Sequence, residues 1–365
     1  MKVIVFGTRG FPNVQGGVET HCEELFPRLV KLGCDVTVVT RTPYIPKDKR
    51  KKEYNGVKFK HLYSPKIKSL EAIIHSIFCV FYARLNNPDV LHIQAIGPSL
   101  VTPLAKLLGM KVVVTNHGPD YDRAKWGKVA KIFLKLGERF GTKYADAVIT
   151  ISRVIKEILK KKYNMSDCFL IPNGVKVPQL SQGTDYLDVL GVEKGKYVFT
   201  AGRFVKEKGF HDLINAFDGA IDKGYKLVIA GDSDHPTEYS KQLKKMSKDN
   251  DVILTGFIKG EELKQLFSHA KLFILPSYHE GLPIALLEAM SYNLDVLVSD
   301  IPANLEIGLE DDCYFKVGDI NDLSLKIINK LEQIKKVNYR EIVEEKYNWD
   351  KIALQTYKVY QSVLN

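Results

Sequence analysis

Residues 2–40, KVIVFGTRGFPNVQGGVETHCEELFPRLVKLGCDVTVVT, decide how this chain folds. The run KVIVFG is short, apolar and β-branched, and a loop bearing Gly10, Gly16 and Gly17 follows it. VETHCEELFPRLVKLG then reads as a helix, with Gly33 suited to its end, and CDVTVVT returns to strand chemistry. A strand, a glycine loop, a helix and a second strand make one βα repeat, the building unit of a mostly parallel sheet. Pro27 lacks a backbone donor and is expected to kink the helix.

The alternation continues outward from that unit. VKFKHLY, DVLHIQ, KVVVTNH and DAVITIS are strands, interleaved with an apolar helix around 70–85 and a long helix from about 121 to 143. After PNGVKVPQLSQGTDY (172–186), rich in Pro, Gly and polar residues, the pattern restarts with KYVFTAG, KLVIAG, DVILTG, KLFILPS and LDVLVSD. A chain of 365 residues is too long for one typical core. Two doubly wound α/β domains are therefore expected, 1–178 and 190–348, with a helix at 349–365 packing back toward the first. Ligands of such sheets bind beyond the carboxyl ends of the strands, so the site belongs in a cleft between facing domains.

Composition narrows the class. With 45% hydrophobic and 26% charged residues the chain reads as an ordinary globular protein. Its five cysteines show neither C-x-x-C nor metal-like spacing, which points to reduced, partly buried thiols. No signal peptide is expected, and AIIHSIFCVFYA (72–83) is too short to span a bilayer. Charge is uneven: residues 1–180 hold 30 Lys and Arg against 14 Asp and Glu, a net of +16, while the remainder nets −6. Such asymmetry suits an anionic partner for the first half.

Three stretches carry chemistry. Gly16-Gly17 lies at a helix start, where bare amides and the positive helix end can seat a phosphate, although the spacing is not G-x-G-x-x-G. TAGRFVKEKGFHDLI places Arg203 and Lys208 on a loop after a strand, between glycines that permit close approach, an arrangement suited to a diphosphate. SYHEGLPIALLEAM holds Glu280 and Glu288, with Pro283 suited to the first turn of a helix through Glu288. An acid/base pair, a metal site, two ligand contacts and plain surface charge are all open to two such glutamates. Eight helical steps rise roughly 12 Å with side chains about 80° apart. That fits a hydrolytic pair, which needs about 5–9.5 Å, less well than two contacts on an elongated ligand.

The ordered set of the Gly-Gly loop, DVLHIQ, DAVITIS, IPNGV, GRFVKEKG, EGLPIALLEAM and SDIP resembles the GT-B glycosyltransferases, in particular retaining glycosyltransferase family 4 with its E-x7-E motif. The likeness covers nearly the whole chain. GTRGFPNVQGGVET and DRAKWGKVAKIFLKLGERF look most like a bacterial rhamnosyltransferase-like branch of surface-polysaccharide assembly. The resemblance implies a GT-B fold of two Rossmann-like domains facing across a cleft. It assigns Glu280 to the donor sugar's hydroxyls, Glu288 to the ribose, Arg203 and Lys208 to the diphosphate, and Gly16-Gly17 to its closure from the other domain. Ile258, through its backbone, and Leu263 would flank the base, and His117 in VTNHGPD would stand near the reacting sugar. The implied mechanism is front-face displacement without a protein nucleophile, in which the leaving phosphate takes the acceptor's proton. No metal and no cofactor beyond the donor, dTDP-rhamnose or a UDP-hexose, is expected. The strings Asp120/Asp122 and Asp232/Asp234 read as loop residues.

The basic stretch PYIPKDKRKKEYNG (43–56) and the helix near 121–143, with Lys125, Lys128, Lys135 and Arg139 apart from Val129, Ile132, Phe133, Leu136 and Phe140, fit a membrane-surface element. The apolar set could equally pack into the core. The expected acceptor is a polyprenyl-diphosphate-linked saccharide, met by a cytoplasmic protein peripheral on the inner membrane face. An epimerase or phosphorylase of the same fold accounts less well for the two motifs together. A nucleic-acid binder lacks any recognised motif, and an inactive scaffold is disfavoured because every motif charge is present.

Overall fold

The computed structural model describes the chain except residues 13, 15, 46, 66–70, 123–126, 222, 234 and 334–336. It divides into two compact units, Met1–Asn173 with Trp349–Asn365, and Gly174–Asn348. The first holds an eight-stranded sheet made of β1 (Lys2–Phe6), β2 (Asp35–Arg41), β3 (Glu53–Tyr54), β4 (Val57–Leu62), β5 (Val90–Gln94), β6 (Val112–Asn116), β7 (Ala147–Thr150) and β8 (Phe169–Leu170). Their order is β3-β4-β2-β1-β5-β6-β7-β8, parallel except for the β3–β4 hairpin. The second holds β9 (Tyr197–Ala201), β10 (Lys226–Ala230), β11 (Ile253–Gly256), β12 (Leu272–Leu275), β13 (Val296–Ser299) and β14 (Tyr314–Phe315), all parallel in the order β11-β10-β9-β12-β13-β14. The strand order reverses between β1 and β5 in one sheet and between β9 and β12 in the other. These two reversals are where a doubly wound sheet opens a crevice for ligand.

Alternating side chains of β1 feed two cores. Val3 and Val5 pack with Leu25, Phe26 and Leu29 of the helix Gly17–Lys31, and with Ile352, Val359 and Tyr360 of the C-terminal helix Trp349–Leu364. Ile4 and Phe6 face Cys79, Val80 and Ala83 of the helix Glu71–Asn86. Pro27 lies within the helix Gly17–Lys31, which runs through it. The second sheet is covered on one face by Phe210, Leu213, Leu243 and Leu323 from three helices.

The long helix differs from its reading in the sequence. Asp120–Asp122 is a 3₁₀ turn, Lys125 lies outside the described residues, and the helix runs from Lys128 to Tyr144. Its apolar set is not its buried face: Val129, Ile132 and Phe133 are exposed and Leu136 and Phe140 half-buried, while Gly137, Glu138, Gly141 and Thr142 are buried. Close approach explains the orientation. A side-chain carbon at Gly137 would stand 2.1 Å from the Ile96 carbonyl oxygen, and one at Gly141 2.8 Å from Ser99 Cβ. Buried Glu138 accepts hydrogen bonds from the hydroxyls of Tyr121 (3.1 Å) and Tyr163 (2.9 Å). Gly137→Ala is accordingly expected to destabilise the first unit by about 1–3 kcal/mol, read as a lower denaturant midpoint at unchanged slope. A midpoint equal to wild type would show that the helix face tolerates the extra carbon.

Candidate active site

In the second unit three glycines press the loops together at the strand reversal. Gly209, with φ 66°, opens the helix Phe210–Ala216, and a side-chain carbon there would lie 2.0 Å from the Pro276 carbonyl oxygen. One at Gly231 would lie 1.9 Å from the Gly202 carbonyl oxygen. At Gly202 it would meet the Lys208 stem, 3.4 Å from Cε. Glycine thus lets the loop after β9 lie against the segment after β12, and the Tyr278 amide donates to the Glu207 carbonyl at 2.9 Å.

This packing brings together two of the residues singled out in the sequence. Lys208 Nζ lies 2.5 Å from Glu280 Oε1, and the Ser277 hydroxyl donates to the same oxygen at 2.7 Å. Both side chains are largely enclosed, 20% and 12% exposed. An ammonium and a carboxylate at that depth hold each other in one geometry. Arg203 stands on the same loop, two residues after β9.

Pro283 immediately precedes the helix Ile284–Ser291, so Glu280 lies in the loop and Glu288 within the helix, half-buried. The Glu288 and Glu261 carboxylates add to burial in pushing the Tyr292 hydroxyl up to about 12, and the Tyr292 ring stacks on Phe267 at 5.0 Å. Ile258 follows β11, and Leu263 lies in the helix Glu261–His269; both are half-buried. Arg203, Lys208, Ile258, Leu263, Glu280 and Glu288 therefore all follow the carboxyl ends of β9, β11 and β12.

In the first unit Gly7, φ 110°, brings the loop after β1 against β5: a side-chain carbon would stand 2.1 Å from the Gln94 carbonyl oxygen. Gly16 and Gly17 lie at the start of the helix Gly17–Lys31. Below them buried Glu19 accepts from the Arg9 amide at 3.1 Å and from Arg9 Nε at 3.2 Å. Gly16 leaves room for that carboxylate, because a side-chain carbon would fall 2.1 Å from Glu19 Oε2.

His117 directly follows β6, and its Nε2 lies 2.7 Å from Gln94 Oε1. The ring meets His21 edge-on at 4.9 Å, and His21 Nδ1 reaches Asn173 Oδ1 at 2.8 Å. His92 completes the group. Its Nδ1 lies 2.6 Å from the Tyr360 hydroxyl, its Nε2 lies 2.7 Å from Thr115 Oγ1, and the Gln94 amide nitrogen approaches that Nε2 at 3.1 Å. Burial pushes His21 down to about 4 and His92 to about 3. Burial and the other two rings hold His117 well below its usual value. All three are neutral near pH 7. With Gln94 assigned as acceptor, His117 carries its proton on Nε2 and can accept at Nδ1. Gln94, His92, His21 and Ser277 escaped the sequence reading, because their partners lie far away along the chain or, for Ser277, carry no spacing signal.

Among the described residues no group of three or more His, Cys, Asp or Glu is placed to hold a metal ion. Asp232 pairs with Lys244 at 2.9 Å, and Asp234 lies outside the described residues.

Two largely parallel sheets, each with a glycine-lined loop at its reversal and charged groups beyond its strands, make a GT-B fold of two Rossmann-like domains. Residues 15–178 match the family described as Glycosyltransferase Family 4, and residues 186–348 match Glycosyl transferases group 1. The chain belongs with these GT-B glycosyltransferases, its two halves built from those two domains. It is 24% identical to the putative teichuronic acid biosynthesis glycosyltransferase TuaC of Bacillus subtilis, over 78% of this chain and 76% of that one. It is 28% identical to the UDP-Gal:alpha-D-GlcNAc-diphosphoundecaprenol alpha-1,3-galactosyltransferase of Escherichia coli, over 59% of each. Among solved structures, the sucrose-phosphate synthase of Thermosynechococcus elongatus superposes with a TM-score of 0.86 at 21% identity, covering 99% of this chain and 98% of that one.

Proposed function

We propose that this enzyme transfers a sugar, with retention of configuration, from a nucleoside-diphosphate donor to a lipid-linked saccharide in cell-surface polysaccharide assembly. The Lys208–Glu280 pair at the reversal of the second sheet carries the reading. It sets a cation for the diphosphate beside a carboxylate for sugar hydroxyls, at the place where such sheets take their ligands. In this reading Arg203 and Lys208 hold the diphosphate, Glu280 the donor sugar and Glu288 the ribose. Ile258 and Leu263 flank the base, and Gly16-Gly17 and His117 are the donor-binding residues of the first unit.

The reaction is a front-face displacement. The acceptor oxygen bonds to the anomeric carbon as the bond to the phosphate oxygen breaks, and that oxygen takes the acceptor's proton. Lys208 and Arg203 stabilise the charge that grows on the leaving group, so no metal is assigned a part. Neutral His117 contributes a hydrogen bond rather than a charge. The E. coli relative, which by its name uses UDP-Gal and a diphosphoundecaprenol-linked sugar, supports a nucleotide-sugar donor and a lipid-linked acceptor. We assign dTDP-rhamnose or a UDP-hexose as donor, and a peripheral position on the inner membrane face.

Glu280→Ala tests the assignment. It removes charge-assisted hydrogen bonds worth about 1.5–3 kcal/mol, an expected loss of roughly 10- to 150-fold in kcat/KM. The donor is first identified as the nucleotide sugar that raises the wild-type melting temperature most. Transfer by folded Glu280→Ala at the wild-type rate would remove Glu280 from the donor site. A product of inverted anomeric configuration, read by NMR coupling constants, would overturn retention.

A further inference from the structure

We infer that one helical layer of the first unit inserts its outer side chains into the apolar edge of an anionic bilayer, instead of resting on the surface by charge alone. The inference rests on the membrane-peripheral part of the proposed function and deepens it by naming the inserting residues. The helix Glu71–Asn86, the segment Pro98–Leu107 and the helix Lys128–Tyr144 pack side by side on the face of the first sheet that carries Ile4 and Phe6. Their inward contacts are already closed by Cys79, Val80, Ala83, Val101 and Ala105, and by the glycines Gly137 and Gly141. Large apolar side chains nonetheless cover the outer surface.

Phe78, Phe81 and Leu85 are 45%, 50% and 84% exposed and stand three and four residues apart, which puts them on one stripe of the helix. Leu107 is 84% exposed, and Val129 and Ile132 are 66% and 57% exposed. On the opposite face of the same sheet the helix Gly17–Lys31 exposes no large apolar residue, and the helix Trp349–Leu364 exposes Leu354 and Leu364, at 44% and 41%. Large apolar side chains exposed on three neighbouring helical segments mark a surface with a partner.

Charge selects which partner. Arg84, Lys128, Lys135, Arg139 and Lys143 on the same helices are exposed, within a half of the chain that nets +16. A second copy would bring like charge against like charge. A bilayer with anionic headgroups offers negative charge outside and hydrocarbon beneath, the order in which these long cations and shorter apolar side chains would meet it. Among the described residues no helix is long and apolar enough to cross a membrane, so the element lies in the interface plane.

The experiment uses the full chain with phosphatidylcholine vesicles, with and without phosphatidylglycerol, at moderate and high salt. The double variants Phe78→Ser/Phe81→Ser and Ile132→Ser/Phe133→Ser are each expected to bind the anionic vesicles roughly 10- to 100-fold more weakly. Their residual binding should vanish at high salt, whereas wild type retains a salt-resistant part. Lys47→Glu/Lys51→Glu/Lys52→Glu should weaken binding while sparing that part. Phe81→Trp should gain a blue-shifted emission, relative to wild type, that brominated acyl chains quench. Serine variants that bind like wild type, or a Phe81→Trp emission that brominated chains leave unquenched, would overturn the inference. A concentration-dependent dimer that the serine changes abolish would give the surface to a second copy and overturn it as well. Transfer to a water-soluble acceptor should be unchanged in the serine variants. Absence of transfer even in wild type would instead count against the proposed function, leaving the vesicle result to stand by itself.

Discussion

Replacing Lys208 by alanine should lower kcat roughly 10²- to 10³-fold, the loss that follows removal of one donor aimed at developing charge in an enclosed site. In the proposed reaction the charge on the leaving diphosphate grows as the glycosidic bond breaks, so the ammonium acts more strongly on the transition state than on the bound donor. The defect should therefore fall on kcat more than on KM. A structural role would behave differently. If Lys208 served only to neutralise Glu280, 2.5 Å away, the single change would strand a carboxylate and removing both groups would restore activity. The double variant Lys208→Ala/Glu280→Ala is instead expected to remain at least as slow as Lys208→Ala. Recovery of activity in the double variant, or a drop in melting temperature with kcat intact, would confine the pair to a structural part.

Acid should weaken the first unit through its buried histidines. His21 and His75 are pushed down to about 4 by burial, with Arg41 adding to the effect at His75, and His92 is pushed to about 3. An unfolded histidine takes its proton near pH 6.5. Between that pH and about 4 the unfolded chain binds more protons than the folded one, so stability falls as pH falls through this window and is level above it. At pH 5 each histidine costs about 2 kcal/mol, so the three together cost on the order of 6 kcal/mol. Urea midpoints at pH 7, 6 and 5 would measure the slope, and His92→Gln should flatten it. A midpoint unchanged from pH 7 to 5 would contradict the prediction. Because His117 is also held neutral, His117 should contribute no step to the activity profile between pH 6 and 8.

The parallel sheets were legible because strands buried on both faces read as short, mostly apolar runs of β-branched and aromatic residues, as β1 and β9 do. The helix after Pro283 was legible for a local reason, a ring that suits a helix start. Contacts at long range were not. Lys208 and Glu280 are separated by 72 positions, and no spacing rule in one sequence joins them. His92 meets Tyr360 across 268 positions, and Gln94 meets His117 across 23. The helix Lys128–Tyr144 shows the limit most directly. Its periodicity separates an apolar stripe from a charged one, but periodicity alone does not say which stripe faces the core.

Local sequence dictates the two βα arrays, the loops that carry Arg203, Lys208, Glu280 and Glu288, and the excess of positive charge in the first half. Those features follow from local alternation, turn chemistry and composition, each readable within a few residues. That Lys208 closes on Glu280, that Gln94 sets the hydrogen-bonding state of His117, and that Val129 and Ile132 look outward emerge only when the chain is folded. Each of those depends on how near two backbones can come. At Gly137, Gly209 and Gly231 that distance leaves no room for a single side-chain carbon.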